Sequence, residues 1–242
     1  MPVFNKDGAR YSSFQEFLSF TKKKDNAPSF TNLFSVSLNT PEMLETTELR
    51  LSNDISILTD YYADSVNLPS KQMTTGQALV VGSGFKYATN AAYSQMQINF
   101  RMPRDQHTRN LFETWTSMMS NDADQYTKFY DEYVCKDMYV YKWERGGGDQ
   151  VYTDPKLLRS LREAGNDFLL ARKFECTACW YIQNVFPYNI GSIRLDNANA
   201  KTMTMSVSFY FERYRFFSKN QREFPVPGAT GGADDRIDNR FS

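Results

Sequence analysis

The sequence contains few of the residues from which enzymes build their catalytic sites. Only one of its 242 residues is a histidine, His107, and only three are cysteines. Serine and cysteine hydrolases place a histidine beside their nucleophile, and no nucleophile motif accompanies His107. Its position just ahead of a predicted helix indicates an exposed residue at a helix start. We therefore predict that the chain is not an enzyme and that it uses no cofactor and no metal.

The few cysteines also argue against a disulfide framework, because their number is odd and the chain is long. Cys176 and Cys179 have the C-x-x-C spacing of some redox and zinc sites. They lie, however, in a predicted strand, where residues three apart point to opposite faces. Only Cys135 is left as a partner, and no cluster of histidines is present. The pattern favours structural cysteines in a core.

Net charge and long apolar runs are lacking as well. Lysine plus arginine and aspartate plus glutamate both total 28, so the whole chain exerts no long-range attraction on nucleic acid or on an anionic membrane. No run of about eighteen apolar residues is found, and the first residues lack the layout of a signal peptide. These features predict a soluble protein without a membrane partner, made in a reducing compartment.

The strongest pattern that is present is an alternation of apolar and polar residues near the end of the chain. The apolar positions are Met203, Met205, Val207, Phe209 and Phe211, and the positions between them from 202 to 212 are mostly hydroxyl residues. Such a period of two predicts one strand with a buried face, about 35 Å long. A long hydroxyl-lined face suits a surface that another molecule slides past or another subunit packs on. The pattern therefore points to an assembly component.

Other patterns divide the rest of the chain into short elements. Apolar content of 41% and aromatic content of 15% supply material for a core. The predicted strands cover 34–38, 65–68, 96–102, 133–143 and 174–182, and the predicted helices cover 12–24, 45–60, 108–119 and 155–164. Residues 70–92, rich in Gly, Thr, Asn and Ala, predict a long hairpin or extended arm. Residues 218–242 predict an extended tail that becomes ordered on a partner.

Three blocks, in this order, resemble the tail tube protein family of contractile-tailed bacteriophages of the T-even type. The first block is Ser29-Phe30-Thr31-Asn32-Leu33-Phe34-Ser35-Val36. The second is Asp64-Ser65-Val66-Asn67-Leu68-Pro69, followed by the arm, by Gln97-Ile98-Asn99-Phe100 and by the helix with Trp115. The third is Val185-Phe186-Pro187-Tyr188-Asn189-Ile190-Gly191-Ser192-Ile193-Arg194-Leu195-Asp196. Together the blocks extend over most of residues 11–217.

The resemblance implies a mainly β fold, a two-sheet antiparallel sandwich or partial barrel with a flanking α-helix and short accessory helices. It implies a single domain over 1–217, with an insertion at 144–173. Hexameric rings of the chain would stack into the inner tube of the tail, inside the sheath, as the conduit for DNA ejection. The implied partners are further copies of the chain, the sheath protein, the baseplate hub or tube initiator, and DNA in passage. The implied location is the virion tail, assembled in the host cytoplasm.

The same resemblance suggests which residues carry these contacts. The candidates for the lumen are Gln95, Gln97, Asn99, Thr202, Thr204, Ser206 and Ser208; an ordinary solvent or inter-subunit surface remains the alternative for them. The candidates for contacts of the arm with the next ring or a neighbouring subunit are Lys71, Gln72, Leu79, Phe85 and Tyr87.

Two alternatives to a major tube subunit stay open at this point. The insertion and the tail are compatible with the related tube initiator of the baseplate, which seeds polymerisation. A monomeric β-rich binding module is the other alternative, suggested by the aromatic stretch 126–143, since exposed rings stack on ligands.

Overall fold

A computed structural model describes residues 14–22, 27–45, 59–80, 82–121, 123–145, 155–165, 174–198, 201–221 and 225. The helices are α1 (Phe14–Thr21), α2 (Glu42–Glu45), α3 (His107–Met119), α4 (Tyr130–Tyr133) and α5 (Pro155–Glu163). The strands are β1 (Phe34–Leu38), β2 (Ala63–Asn67), β3 (Lys71–Val80), β4 (Ser83–Tyr93), β5 (Met96–Arg101), β6 (Cys135–Glu144), β7 (Glu175–Ile190), β8 (Thr204–Tyr210) and β9 (Arg213–Ser218).

The strands form one large sheet and one separate hairpin. The order in the large sheet is β1-β6-β7-β8-β5-β2, and β9 also pairs with β7. The pairs β2–β5, β5–β8, β7–β8 and β7–β9 are antiparallel, as is the β3–β4 hairpin. The prediction of a mainly β, antiparallel fold with short helices is thus confirmed.

The chain divides into two compact units, which are described separately. The first comprises residues 1–34 and 142–177, and the second comprises residues 35–141 and 178–242. The predicted single domain over 1–217 stays a prediction. Several other predictions fall on residues outside the described ranges: both ends of the helix at 12–24, most of the helix at 45–60, much of the insertion, and nearly all of the tail after 221.

In the first unit, Lys142 connects the segment that contains Asn32 with Glu144 of β6. The Lys142 Nζ donates hydrogen bonds to the carbonyl oxygen of Asn32 at 2.8 Å and to a carboxylate oxygen of Glu144 at 3.0 Å. Ser29 donates a hydrogen bond to the same carboxylate. This bond, together with the nearby lysine, holds the pKa of Glu144 below its ordinary value.

The core of the second unit lies between α3 and one face of strands β5 and β8. The apolar residues of the two strands face each other in pairs, Met96 with Phe209, Ile98 with Val207 and Phe100 with Met205, and all are buried. This arrangement follows from the period-two pattern, because residues two apart on a strand share a face.

Helix α3 covers that face with aromatic side chains spaced at the helical period. The ring of Phe112 lies 5.2 Å from the ring of Phe100 and 5.8 Å from that of Phe209. The buried Trp115 donates its indole N–H to the carbonyl oxygen of Tyr133 at 2.9 Å, so its one polar atom is satisfied. Helix α3 therefore lies on the side of the sheet opposite the polar residues of β5 and β8.

The prediction of one uninterrupted strand over 202–212 is wrong. The structure has two strands, β8 and β9, which follow the two halves of β7 and are separated at Phe211 and Glu212. Opposite this break, Asn184 of β7 has a left-handed backbone (φ 54°), and the Glu212 N–H donates to the carbonyl oxygen of Gln183. An irregular residue of this kind bends a strand and interrupts its ladder. The longest strand is β7, with 16 residues, which extends well past the predicted end at 182.

Candidate functional site: a polar sheet face and a projecting hairpin

The face of the sheet turned away from α3 carries polar side chains from four neighbouring strands. We call it the polar face and define it by Ser65 and Asn67 of β2, Gln97 and Asn99 of β5, Ser206 and Ser208 of β8, and Asn189 of β7. Cross-strand pairing aligns these residues in two rows. One row is Asn67, Gln97, Ser208 and Asn189, and the other is Ser65, Asn99 and Ser206. The Asn99 amide donates to the Ser65 hydroxyl oxygen at 2.8 Å, which ties two strands together across the face.

One end of the polar face holds an ion pair. Arg101 is the last residue of β5 and pairs across the sheet with Thr204. Its guanidinium nitrogens lie 2.6 and 2.7 Å from one carboxylate oxygen of Asp64. The single positive charge that β5 brings to this face is therefore matched by a carboxylate beside it.

The other end of the polar face carries two aromatic rings and no charged group. The rings of Tyr188 and Tyr210 stack with their centroids 4.0 Å apart. Gln95 joins both, since it accepts a hydrogen bond from the Tyr188 hydroxyl and donates its amide to the Tyr210 hydroxyl oxygen at 3.2 Å. Apart from the Arg101–Asp64 ion pair and the two tyrosine rings, the face is thus built from hydroxyl and amide groups.

The structure brings most of the predicted lumen residues together. Gln97, Asn99, Thr204, Ser206 and Ser208 share this face, and Gln95 adjoins it just before β5. Thr202 lies in the loop ahead of β8 instead. Sequence reasoning missed the contributions of β2 and β7, because each is separated from β5 and β8 by many residues and joins them only through pairing. Whether these residues line a channel stays a prediction.

The predicted core residues of the last strand have different environments. Met205, Val207 and Phe209 are buried, whereas Met203 and Phe211 are half-buried and lie outside β8. Phe211 has a role at the base of the hairpin, where its ring is 5.9 Å from that of Tyr93. Tyr214 contacts Tyr93 from the other side at 5.5 Å.

The predicted arm is a regular hairpin of β3 and β4. Its pairs run from Lys71 with Tyr93 at the base to Val80 with Ser83 at the tip. Every residue of β4 from 83 to 92 is exposed, and in the described structure β4 forms strand pairs only with β3. The five arm candidates Lys71, Gln72, Leu79, Phe85 and Tyr87 are all exposed. An isolated two-stranded sheet is marginally stable in water; contact of this hairpin with another subunit stays a prediction.

Gly191 allows a close approach of β7 to β8 that a side chain at this position would crowd. Its N–H donates to the carbonyl oxygen of Ser206 at 2.7 Å. A Cβ atom at this position would lie 2.0 Å from the Ser206 Oγ and 3.0 Å from its carbonyl oxygen. The glycine in the third resemblance block therefore fixes the exit of β7 against β8.

We expect Gly191→Ala to lower the free energy of unfolding by about 1–3 kcal/mol, the usual range for overpacking. Thermal melting followed by circular dichroism measures the effect. Gly84→Ala is the matched control, because its Cβ would meet the movable end of the Gln77 side chain. Equal melting temperatures for the two variants would contradict the close-packing argument.

The described residues contain no group of three or more His, Cys, Asp or Glu side chains placed to hold a metal ion. His107 is exposed at the start of α3, 3.8 Å from the Asp105 carboxylate. Cys135 and Cys179 are buried and Cys176 is half-buried, and none of the three forms a disulfide. Burial raises the pKa of Cys135 to about 12, which keeps it protonated and unreactive at neutral pH. No helix in the described part of the chain is long and apolar enough to cross a membrane.

Comparison with known proteins adds the following similarities. A chain from the sheath-tube complex of the extracellular contractile injection system PVC, in its extended state, is 12% identical (TM-score 0.49, covering 86% of this chain and 99% of that chain). A chain from the 6-fold symmetrised baseplate of the anti-feeding prophage is 8% identical (TM-score 0.49, covering 81% and 99%). The Hcp1 protein from E. coli EAEC 042 is 8% identical (TM-score 0.37, covering 77% and 91%).

The search among curated proteins finds no match. The family model described as "Phage tail tube protein" matches residues 29–217, which is more than half of the chain. It includes all three sequence blocks and both parts of the candidate site. The chain belongs to the phage tail tube protein family.

Proposed function

We propose that hexameric rings of this protein stack into the inner tube of a contractile phage tail and that the polar face lines the channel for DNA. Family membership supports a structural role in the tail tube. The observation that carries the assignment of the channel is the polar face, which presents hydroxyl and amide groups from four strands with its arginine paired to Asp64.

The chemistry of this face suits the passage of DNA. A lining of unpaired lysine or arginine would hold the phosphate backbone, and each contact would add to the affinity through counterion release. Repetition around a ring and along a stack would multiply that attraction. Hydroxyl and amide groups keep the wall wet without a net charge, so the DNA has little to hold it in place.

The two outer edges of the large sheet favour closure of the subunits into a ring. β1 and β2 end the strand order, and no strand of the described structure pairs with their outer sides. Unpaired edges of this kind promote association, and a closed ring gives each edge a neighbour. The Asp60 carboxylate accepts a hydrogen bond from the Val36 N–H at 2.9 Å, which satisfies part of the β1 edge within the subunit.

The opposite side of the sheet then faces outward. Helix α3 covers the core there, and the segment that follows it exposes Tyr126 and Phe129. This side is where the sheath protein would contact the tube. The ends of the stack would meet the baseplate hub or initiator, and the finished tube would belong to the virion tail after assembly in the host cytoplasm.

The number of copies per purified virion tests the proposal. Quantitative mass spectrometry with isotope-labelled peptides of this chain should find enough subunits for many stacked rings. A single ring's worth would assign the chain to the baseplate tube initiator instead. Absence from virions would overturn both roles and favour a monomeric binding module. The matched control is a peptide set from a host cytoplasmic protein, which reports contamination of the preparation.

A further inference from the structure

The projecting β3–β4 hairpin is attached to the large sheet at its base. Within β4 only Tyr93 is half-buried, and every other residue of the strand is exposed. The Tyr93 ring lies 5.9 Å from the ring of Phe211 and 5.5 Å from that of Tyr214. Beside it, the Ser94 N–H donates to the carbonyl oxygen of Ser70 at 3.0 Å, and the Ser70 N–H donates to the Ser94 Oγ at 2.7 Å. These two bonds join the ends of the hairpin, so the ring contacts set its direction.

The residues that contact Tyr93 belong to the corner between β8 and β9, and β7 holds this corner. The Glu212 N–H donates to the carbonyl oxygen of Gln183 at 3.1 Å. The side-chain amide of Asn184 donates a second hydrogen bond to the Glu212 carboxylate. Asn184 is also the residue of β7 with a left-handed backbone (φ 54°), a conformation that asparagine adopts more readily than most residues. The bend in β7 and the corner are therefore joined by a side-chain pair.

The length of the hairpin makes the position of its tip sensitive to its base. β3 has ten residues, which extend over about 34 Å at about 3.4 Å per residue. A tilt of about 10° at the base would therefore move the tip by about 6 Å. This displacement exceeds the separation at which side chains are in contact. Any contact of the tip thus requires a base that holds one direction.

From these contacts we propose that the Asn184–Glu212 bond fixes the direction of the hairpin. It acts through Phe211, which precedes Glu212 in the corner and contacts Tyr93 at the hairpin base. Asn184 and Glu212 are thus positioning residues for the hairpin. When the bond is broken, the corner loosens and the hairpin swings about its base. The proposal concerns a single subunit, so it goes beyond the proposed tube function and does not rest on it.

An exchange of donor and acceptor tests the bond. Asn184→Asp keeps the size of the side chain and its tolerance of a left-handed backbone. It removes the amide donor, however, and places a second carboxylate against Glu212. Adding Glu212→Gln returns an amide donor from the other side, so the double variant can form the bond again. Glu212→Gln alone keeps an acceptor oxygen and is the matched control.

Two spin labels read the direction of the hairpin as a distribution of distances. The labels are attached through Lys86→Cys on β4 and Ser117→Cys on α3, both at exposed positions. Cys176→Ser removes the one native thiol that is not buried. Double electron–electron resonance is recorded on the unassembled subunit in dilute solution. Lys86 lies opposite Gln77, six residues from Lys71 and about 20 Å from the base, so a swing of about 15° moves it by about 5 Å.

The double variant separates positioning from a general loss of stability. We expect Asn184→Asp to widen the distance distribution by about 5 Å or more, and Asn184→Asp with Glu212→Gln to restore the narrow distribution. Glu212→Gln alone should stay narrow. A distribution for Asn184→Asp as narrow as that of the unsubstituted protein would overturn the proposal. A double variant as wide as Asn184→Asp would overturn it as well, because the bond would then not be the cause.

Phe211→Ala keeps the proposal testable if Asn184→Asp does not fold. This variant leaves the Asn184–Glu212 bond in place and removes the ring that contacts Tyr93, so the distribution should widen. Phe216→Ala is its matched control, because Phe216 is a 50% exposed residue of β9 whose ring packs on Trp180 at 5.2 Å. Equal widths for Phe211→Ala and Phe216→Ala would overturn the proposal.

Discussion

Replacing Phe209 with aspartate is expected to destabilise the folded subunit more than any other single change considered for this protein. Phe209 is fully buried, and its ring packs against Phe112 of α3. Loss of a buried phenylalanine alone costs about 3–5 kcal/mol, and an unpaired carboxylate in the same place adds a desolvation penalty. In a chain of this size the melting temperature should fall by roughly 10 °C or more.

Ser208→Asp is the matched control for this prediction. Ser208 is the preceding residue of β8 and lies on the polar face, opposite Gln97 and Asn189. A carboxylate there meets water and amide groups, so the cost should stay within about 1 kcal/mol, the span of strand propensities. Thermal melting of both variants measures the difference. Similar melting temperatures would contradict the assignment of Phe209 to a buried face and Ser208 to a wet one, and a larger loss for Ser208→Asp would show that the faces are reversed.

Shortening the hairpin is expected to abolish growth of the tube while leaving the subunit folded. Met73 and Ala91 are cross-strand partners, so an Asn-Gly turn in place of residues 74–90 can join them with the favoured two-residue geometry. The base of the hairpin keeps its contact of Tyr93 with Phe211 and Tyr214. Since the removed part of β4 is exposed throughout, the melting temperature should change little.

Electron microscopy and sedimentation measure the effect on assembly. We expect at least about a tenfold lower association constant between rings, since a loss of only about 1.4 kcal/mol of binding free energy has that effect. Thr75→Ser, which keeps the hairpin length and its hydroxyl, should assemble like the unsubstituted protein. Tubes of normal length from the shortened variant would refute the role of the hairpin, and loss of the rings themselves would assign it to contacts within a ring.

The sequence predicted those helices and strands in which apolar residues recur at a regular spacing without interruption. β1 and β5 lie where the alternation of apolar and polar residues placed them, and α3 begins one residue before its predicted start. β6 begins two residues later than predicted, because the residues around Tyr133 form the short helix α4. Such elements can be predicted from the sequence because one face of each is buried, and the buried positions recur with the period of the helix or strand.

The sequence predicted only part of the polar face. The alternation in β5 and β8 identified Gln97 and Ser208 as candidates, but it contained nothing about Asn67 or Asn189, which complete the same row. Their membership depends on which strands pair and in which register. Likewise, the pairing of Arg101 with Asp64 neutralises the positive charge on β5, and the sequence did not indicate which carboxylate would do so.

The sequence by itself determined the mainly β character of the chain, the hairpin and the amphipathic α3, because each depends on the types and spacing of neighbouring residues. Only the tertiary structure decided the break at Phe211, the length of β7 and the composition of the polar face. The alternation continues through Phe211 although the strand does not, and the break lies opposite Asn184 of β7, whose backbone is left-handed. Strand pairing joins residues far apart in the chain, and a period of two specifies a face but not a partner.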